Sequence, residues 1–235
     1  MDYDDGPLKI SSMKPADLKH LIQRGEGLYL EFKKRTPTPE KIAREMAALA
    51  NTRGGKVLVG VADDGKITGI DSFFEEEYLL TKAAEQICRP PLEIIMELVQ
   101  TPEGDVLLVE IPEAAEKPVW IPSETGRLVY VRQGEESVLA SEERTELLKH
   151  ESNREDHVTF EYGDNERQLF RFLNEYGEIS VARYAQLIHV TTWRSSRILI
   201  NLVRAGILEL SNRDNVDYFV FSVDSDGTAG SRPLL

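Results

Sequence analysis

Three carboxylates and one lysine near the start of the chain have residue types suited to phosphodiester chemistry. Glu31 and Lys33 stand two residues apart in LYLEFKK, Glu26 lies just before that run, and Asp63 closes the run KVLVGVA. Alternate side chains of a strand share a face, so Glu31 and Lys33 point the same way. If KVLVGVA lies beside LYLEFKK, Asp63 reaches the same patch. Carboxylate oxygens then offer a hard divalent cation such as Mg²⁺ or Mn²⁺ a seat, the metal activates water, and Lys33 neutralises developing charge. Glu26, Glu31 and Asp63 are therefore candidate metal ligands, and the same three with Lys33 are candidate catalytic residues. The plainer alternative makes Glu31 and Lys33 surface partners and Asp63-Asp64-Gly65 a turn. Clustered carboxylates repel one another, and that repulsion demands a proton or a cation.

A second candidate is Arg53-Gly54-Gly55-Lys56, in which glycine permits close backbone approach to a phosphate flanked by two cations. The alternative is a tight helix-to-strand connection. A conventional P-loop is excluded, because Gly55-Lys56 is followed by Val57 and Ala50 stands where the leading glycine belongs. No ATP binding of that kind is expected.

A third lies in TTWRSSRILINLVRAG. Thr191 or Thr192 can cap this helix, and Ile198, Leu199, Leu202 and Val203 fall on its apolar side. Trp193, Arg194, Ser196, Arg197, Asn201 and Arg204 are left outward. Arginine bridges two acceptors on guanine, while serine and asparagine suit phosphates or adenine. Arg213 in the following loop, with Arg183 and Tyr184 on the preceding helix, are candidate backbone contacts. Such a helix can also serve dimerisation or protein docking.

The elements that must position these groups follow from periodicity. PADLKHLIQR reads as a short amphipathic helix, LYLEFKK as a half-buried strand, and EKIAREMAALAN as a helix. KVLVGVA and ITGI flank DDGK and predict a hairpin. EEEYLLTKAAEQICR predicts a helix stopped by Pro90 and Pro91; the runs around EIIMELV and VLLVEI predict a second hairpin. KPVWIP and RLVYVRQG add strands, and residues 141–151 a closing helix. This first domain, residues 1–151, has about six strands and four helices. A linker is placed at 152–164. Residues 165–223 then give three helices and a strand pair, the order of a winged helix-turn-helix, with a flexible tail at 224–235. The fold class expected is α+β, a mixed-sheet domain followed by a small winged helix-turn-helix domain.

Composition bounds what these groups can serve. With 235 residues, 41% hydrophobic and 29% charged, the chain is not intrinsically disordered. No apolar run nears the roughly 18 residues a bilayer crossing requires, and MDYDDG is unlike a secretory leader, so a cytoplasmic protein is expected. Cys88 stands alone and four histidines are scattered, which excludes an internal disulfide and a cysteine-rich zinc site. The net charge of −13 argues against a polyanion partner, but it is unevenly spread: +3 over residues 1–60, −14 over 61–160 and −2 over 161–235. Residues 166–213 carry seven arginines against four glutamates and no lysine. Arginine is the better residue for phosphates and base edges.

GEGLYLEFKKR, EMAALANTRGGKVLVGVADDGKITGI, KPVWI and LVYVRQGEESVLAS together resemble the Schlafen/AlbA-like domain, over roughly residues 15–150. That resemblance implies an α/β domain, commonly fused to a second module, and nucleic acid as partner. It also implies that Glu26, Glu31 and Asp63 match the carboxylates with which tRNA-cleaving Schlafens act, and Lys33 the lysine of their E-F-K motif. Those enzymes use two related halves; one half is present here, which a homodimer would complete.

Two readings of function follow. The first is a nucleic-acid-binding protein, a DNA-binding transcriptional regulator. The second is a metal-dependent endoribonuclease acting on structured RNA, using Mg²⁺ or Mn²⁺. A protein-interaction module would do neither. The first has two independent segments behind it and the second has one.

Overall fold

The structure is a computed structural model describing residues 9–151, 162–213 and 216–222. The chain divides into two units, residues 1–140 and 141–235.

The first unit is built on a five-stranded mixed sheet. Its strands are β1 (Lys9–Ile10), β2 (Leu30–Lys33), β3 (Gly55–Val59), β4 (Ile95–Val99) and β5 (Val106–Ile111), in the spatial order β1-β4-β5-β3-β2. β2 runs parallel to β3, which pairs antiparallel with β5. The central strands are apolar on both faces because both faces are covered. Val57 and Val59 of β3, with Leu107, Val109 and Ile111 of β5, pack under helix α2 (Pro39–Thr52). The alternate residues Leu58, Val106 and Leu108 face helix α1 (Pro15–Gln23) through Leu18 and Ile22. Ala43, Ala47 and Ala50 of α2 are fully buried, and their small side chains let this helix lie close to its neighbours.

Helix α3 (Phe73–Thr81) runs into a π-helical turn at Lys82–Ile87, which adds Ala83 and Ala84 to the same core. A second sheet of β6 (Trp120–Ser123), β7 (Gly126–Gln133) and β8 (Glu136–Leu139) also packs on α2. The expected pairing of EIIMELV with VLLVEI is present as β4 and β5. The expected hairpin of KVLVGVA with ITGI is reduced to its turn: the chain folds back beyond β3 at the bridge Val61↔Ile67, with the Ala62 amide donating to Lys66 O at 2.9 Å and the Thr68 amide to Gly60 O at 2.8 Å, and ITGI adds no strand to the sheet. The reason is topological. β3 already has β2 on one edge and β5 on the other, so neither edge is open to a hairpin partner.

The second unit contains α4 (Glu142–Glu151), α5 (Asp164–Tyr176), β9 (Glu178–Ile179), α6 (Val181–Leu187), α7 (Thr192–Arg204), β10 (Leu208–Arg213) and β11 (Val216–Phe221). The last two form an antiparallel hairpin joined by β9 into a three-stranded sheet. Leu169, Phe170, Leu173, Tyr184, Leu199, Leu202 and Phe219 make its core. Ser180 caps α6 and Thr191 caps α7, each hydroxyl accepting the amide three residues on at 3.3 Å. Residues 141–151, expected to close the first domain, instead pack α4 against α7. Residues 152–161 of the expected linker and the whole expected tail lie outside the described residues. Among the described residues no helix is long and apolar enough to cross a membrane.

Candidate functional site

β2 is an edge strand, and its side chains alternate as its sequence requires: Leu30 and Phe32 enter the α1 core, while Glu31 and Lys33 turn to the other face. Gly27 bridges back to Leu30, so the chain doubles over just before the strand and places Glu26 against its outer edge. There the Phe32 amide donates to Glu26 Oε1 at 2.7 Å, satisfying a backbone donor that an edge strand leaves open.

Glu31 is 6% exposed. One of its oxygens accepts from Lys33 Nζ and the other from Arg132 Nη1 at 2.9 Å. Arg132, on β7, has no exposed side-chain surface. Its Nη1 also donates to Glu45 of α2 and to the Ser137 hydroxyl, each at 3.1 Å, and its Nη2 to the Gly27 carbonyl at 2.7 Å. Ser137 in turn donates to Glu45. One buried guanidinium thus ties β2, α2, β7, β8 and the turn before β2 together. A buried charge is tolerated only when paired in this way.

Helix α2 supplies the clamp that sets Arg132 in place. The Arg132 amide donates to Thr52 Oγ1 at 3.0 Å. Neighbouring Asn51 donates to the Val119 and Tyr130 carbonyls, both at 2.8 Å, and accepts the Val119 amide at 2.7 Å. The Asn-Thr pair of ANTRGG therefore fastens the end of α2 to β7 and the residue before β6. Sequence reasoning missed Glu45, Asn51, Thr52, Arg132 and Ser137. A signal was present: Arg132 shares a strand face with Leu128 and Tyr130 in RLVYVRQ, where a charge at a packed position implies a buried partner.

Burial pushes the Glu26 carboxyl above the ordinary carboxylate value; the Phe32 amide opposes that, the charges of Glu31 and Asp63 add to it, and Lys33 lowers it. The structure therefore brings Glu26, Glu31 and Lys33 together at the edge of β2. They do not fit a divalent cation as they stand. Both Glu31 oxygens are engaged by protein cations, and among the described residues no group of three or more His, Cys, Asp or Glu side chains is placed to hold a metal. Asp63 is exposed.

A raised carboxyl contributes its full stability below its unfolded value and loses it as pH climbs through the folded one. Glu26→Gln, which keeps an oxygen for the Phe32 amide, should therefore gain on the wild type as pH rises above the ordinary carboxylate range. Urea unfolding at a series of pH values from about 4 to 7 reads this. A stability difference that does not change with pH would remove the electrostatic account of Glu26.

The phosphate cradle expected at Arg53, Gly54, Gly55 and Lys56 is corrected by the backbone. The Gly54 amide donates to Leu49 O and the Lys56 amide to Tyr29 O, both at 2.9 Å, so neither is open to a ligand. A Cβ on Gly54 would lie 2.6 Å from the Ile111 carbonyl oxygen, and one on Gly55 2.8 Å from that of Tyr29. The glycines are there for strand and helix packing. Lys56 pairs with Glu110 at 2.7 Å, and Arg53 is exposed. These residues nevertheless border a cleft of about 490 Å³ that Arg24, Glu26 and Tyr29 also line.

In the second unit Leu199 and Leu202 turn inward with Ile198 and Val203 beside them. Trp193 at the first turn of α7 is 73% exposed. Arg194 is exposed; Arg197 is half exposed and lies 3.8 Å from Glu146 of α4. Ser196 is half-buried and donates to Glu143 Oε1 at 2.8 Å. Asn201 and Arg204 are half-buried on the continuation of the same face. Arg183 stacks over the Phe172 ring at 5.6 Å, and Arg213 pairs with Glu178 at 2.9 Å. Tyr184 is corrected: it is fully buried, its hydroxyl is inside the core, and burial pushes that hydroxyl well above the ordinary tyrosine range, so it cannot touch a phosphate. The sequence placed it outward because VARYAQLI is too short for its periodicity to decide between faces.

Residues 26–141 match the family model described as Schlafen, AlbA_2. No curated protein matches the chain. Two solved structures are similar at 19% identity and a TM-score of 0.39 each: the N-terminal domain of a RecG-related protein from Nitrosomonas europaea and the DIP2311 protein from Corynebacterium diphtheriae. The first likeness covers 48% of this chain and 82% of that one; the second covers 53% of this chain and 28% of that one.

Proposed function

From a chain whose residues 26–141 are a Schlafen, AlbA_2 domain, we propose a nucleic-acid-binding protein whose second unit is a winged helix-turn-helix that docks on duplex DNA, acting in transcriptional regulation as a homodimer. One observation carries this reading: the first two turns of α7 present exposed Trp193, Arg194 and Arg197 at a capped helix N-terminus. A helix N-terminus attracts anions through its open amides and its dipole, and arginines there bridge phosphates or guanine edges. The α6–turn–α7 order with a following hairpin is the arrangement that lays such a helix in a major groove; Arg213, at the end of β10, is exposed and pairs with Glu178. A twofold dimer would place two such helices about one turn of duplex apart.

The second reading, a metal-dependent endoribonuclease, is favoured by one observation, that Glu26 is bound to the edge of the strand that carries the Glu31–Lys33 pair. It requires Glu31 to be released from Arg132.

The test is a gel-retardation and cleavage assay with labelled duplex DNA and structured RNA, with and without Mn²⁺. Arg197→Ala should weaken duplex binding by about 1–3 kcal/mol and leave the fold intact, since its side chain lies at the surface. Undiminished affinity would overturn the binding reading. Mn²⁺-dependent RNA fragments that disappear in Glu26→Gln would favour the second reading instead.

A further inference from the structure

We infer that the acidic helix α4 is a built-in competitor for the polyanion that α7 receives, an inference that rests on the duplex-binding reading and adds a regulatory contact to it. α4 carries Glu142, Glu143, Glu146 and Glu151. It lies against α7, and two of its carboxylates meet groups on the outward face of that helix: Glu143 accepts from Ser196 at 2.8 Å, and Glu146, which also pairs with Lys149 of its own helix at 2.9 Å, stands 3.8 Å from Arg197. Its N-terminal end is fastened to the hairpin. Ser141 Oγ donates to Asp217 Oδ2 at 2.5 Å, and Arg144 lies 3.7 Å from Asp217 and 3.5 Å from the Leu210 carbonyl.

A phosphate approaching Ser196 and Arg197 therefore meets two negative charges already bound there. Being part of the same chain, those carboxylates compete at an effective concentration that no free anion matches. They are nonetheless displaceable, because the Glu146–Arg197 pair is loose and Arg197 is half exposed, so each contact is weak. Trp193 and Arg194, one turn earlier, are exposed and remain for the first encounter. The arrangement favours a two-step engagement, in which Trp193 and Arg194 touch the duplex and α4 then yields Ser196 and Arg197 to it.

Counterion release gives the inference a signature. In the wild type, a phosphate that takes Arg197 displaces its own counterion but leaves Glu146 to be neutralised again, so little salt is released in net; without Glu146 the phosphate's counterion is released in full. The full-length chain carrying Glu143→Gln and Glu146→Gln should bind labelled duplex DNA roughly fivefold to tenfold tighter. Its plot of log affinity against log salt should be steeper by about 0.9. Glu142→Gln, an exposed site on the same helix, removes a charge without a contact to α7 and should leave both quantities close to wild type. Far-ultraviolet circular dichroism and thermal melting of each variant verify folding. If wild type and double variant bind with equal affinity and slope, α4 is no competitor and the binding reading stands. Binding by the double variant alone supports the competitor strongly. If neither binds duplex DNA at any salt concentration, the binding reading fails and takes this inference with it.

Discussion

Arg132→Met should cost the first unit about 3–5 kcal/mol, because it leaves Glu31 buried with half its pairing gone and Glu45 without its guanidinium. The methionine fills much of the arginine's volume, so the loss would be electrostatic rather than a cavity. The turn before β2 would also lose its tie, since Arg132 holds the Gly27 carbonyl. A double variant, Arg132→Met with Glu31→Gln, should recover a good part of the loss, as the uncompensated charge is then gone and Lys33, which is partly exposed, can turn to water. Urea unfolding followed by Trp120 fluorescence reports on this unit. The second tryptophan, Trp193, is already exposed and responds little. An Arg132→Met protein within about 1 kcal/mol of wild type would mean that the network is incidental to folding.

Gly54→Ala should be nearly as damaging, for a different reason. Gly54 has φ of 72°, a conformation that costs an alanine about 1–2 kcal/mol. Its new Cβ would also sit 2.6 Å from Ile111 O and 2.7 Å from Glu113 N, backbone atoms at the end of β5 that cannot swing aside. Gly25 is the matched control. Its φ is 75° and a Cβ there meets nothing within 4 Å, so Gly25→Ala bears the conformational cost alone. Gly54→Ala should therefore lose about 2 kcal/mol more than Gly25→Ala in the same urea assay. Equal losses would show that the contact with β5 relaxes cheaply. They would also reopen the possibility that this glycine serves a ligand rather than the fold.

Much of the architecture was written in local patterns. The alternation of LYLEFKK placed Leu30 and Phe32 on one face and Glu31 and Lys33 on the other, and the structure keeps that division. The continuous apolar runs around Val57–Val59 and Val106–Ile111 are strands covered on both sides. Locally plausible readings failed where the environment decided. ITGI had the turn chemistry for a hairpin, but β3 had no free edge to offer it. Gly54 and Gly55 suited a phosphate by type, yet their amides and the space around them are taken by protein. Tyr184 could have faced either way on a seven-residue helix, and the core took it.

The candidate site shows the same division more sharply. Glu26, Glu31, Lys33 and Asp63 could be gathered from sequence because three of them sit on or beside adjacent strands, and period-two alternation is a local rule. What Glu31 does there could not, because its main partner lies 101 residues away on β7 and a second guanidinium contact comes from α2. Likewise the exposed stripe of α7 followed from its helical period, while the acidic helix lying on part of it did not. By itself the sequence determined most of the strands and helices, the face that most of their side chains take, and which groups have the chemistry to meet a phosphate. Only the tertiary structure decided whether those groups are open or already paired, since burial and charge pairing depend on segments brought together across long stretches of chain, to which no local period extends.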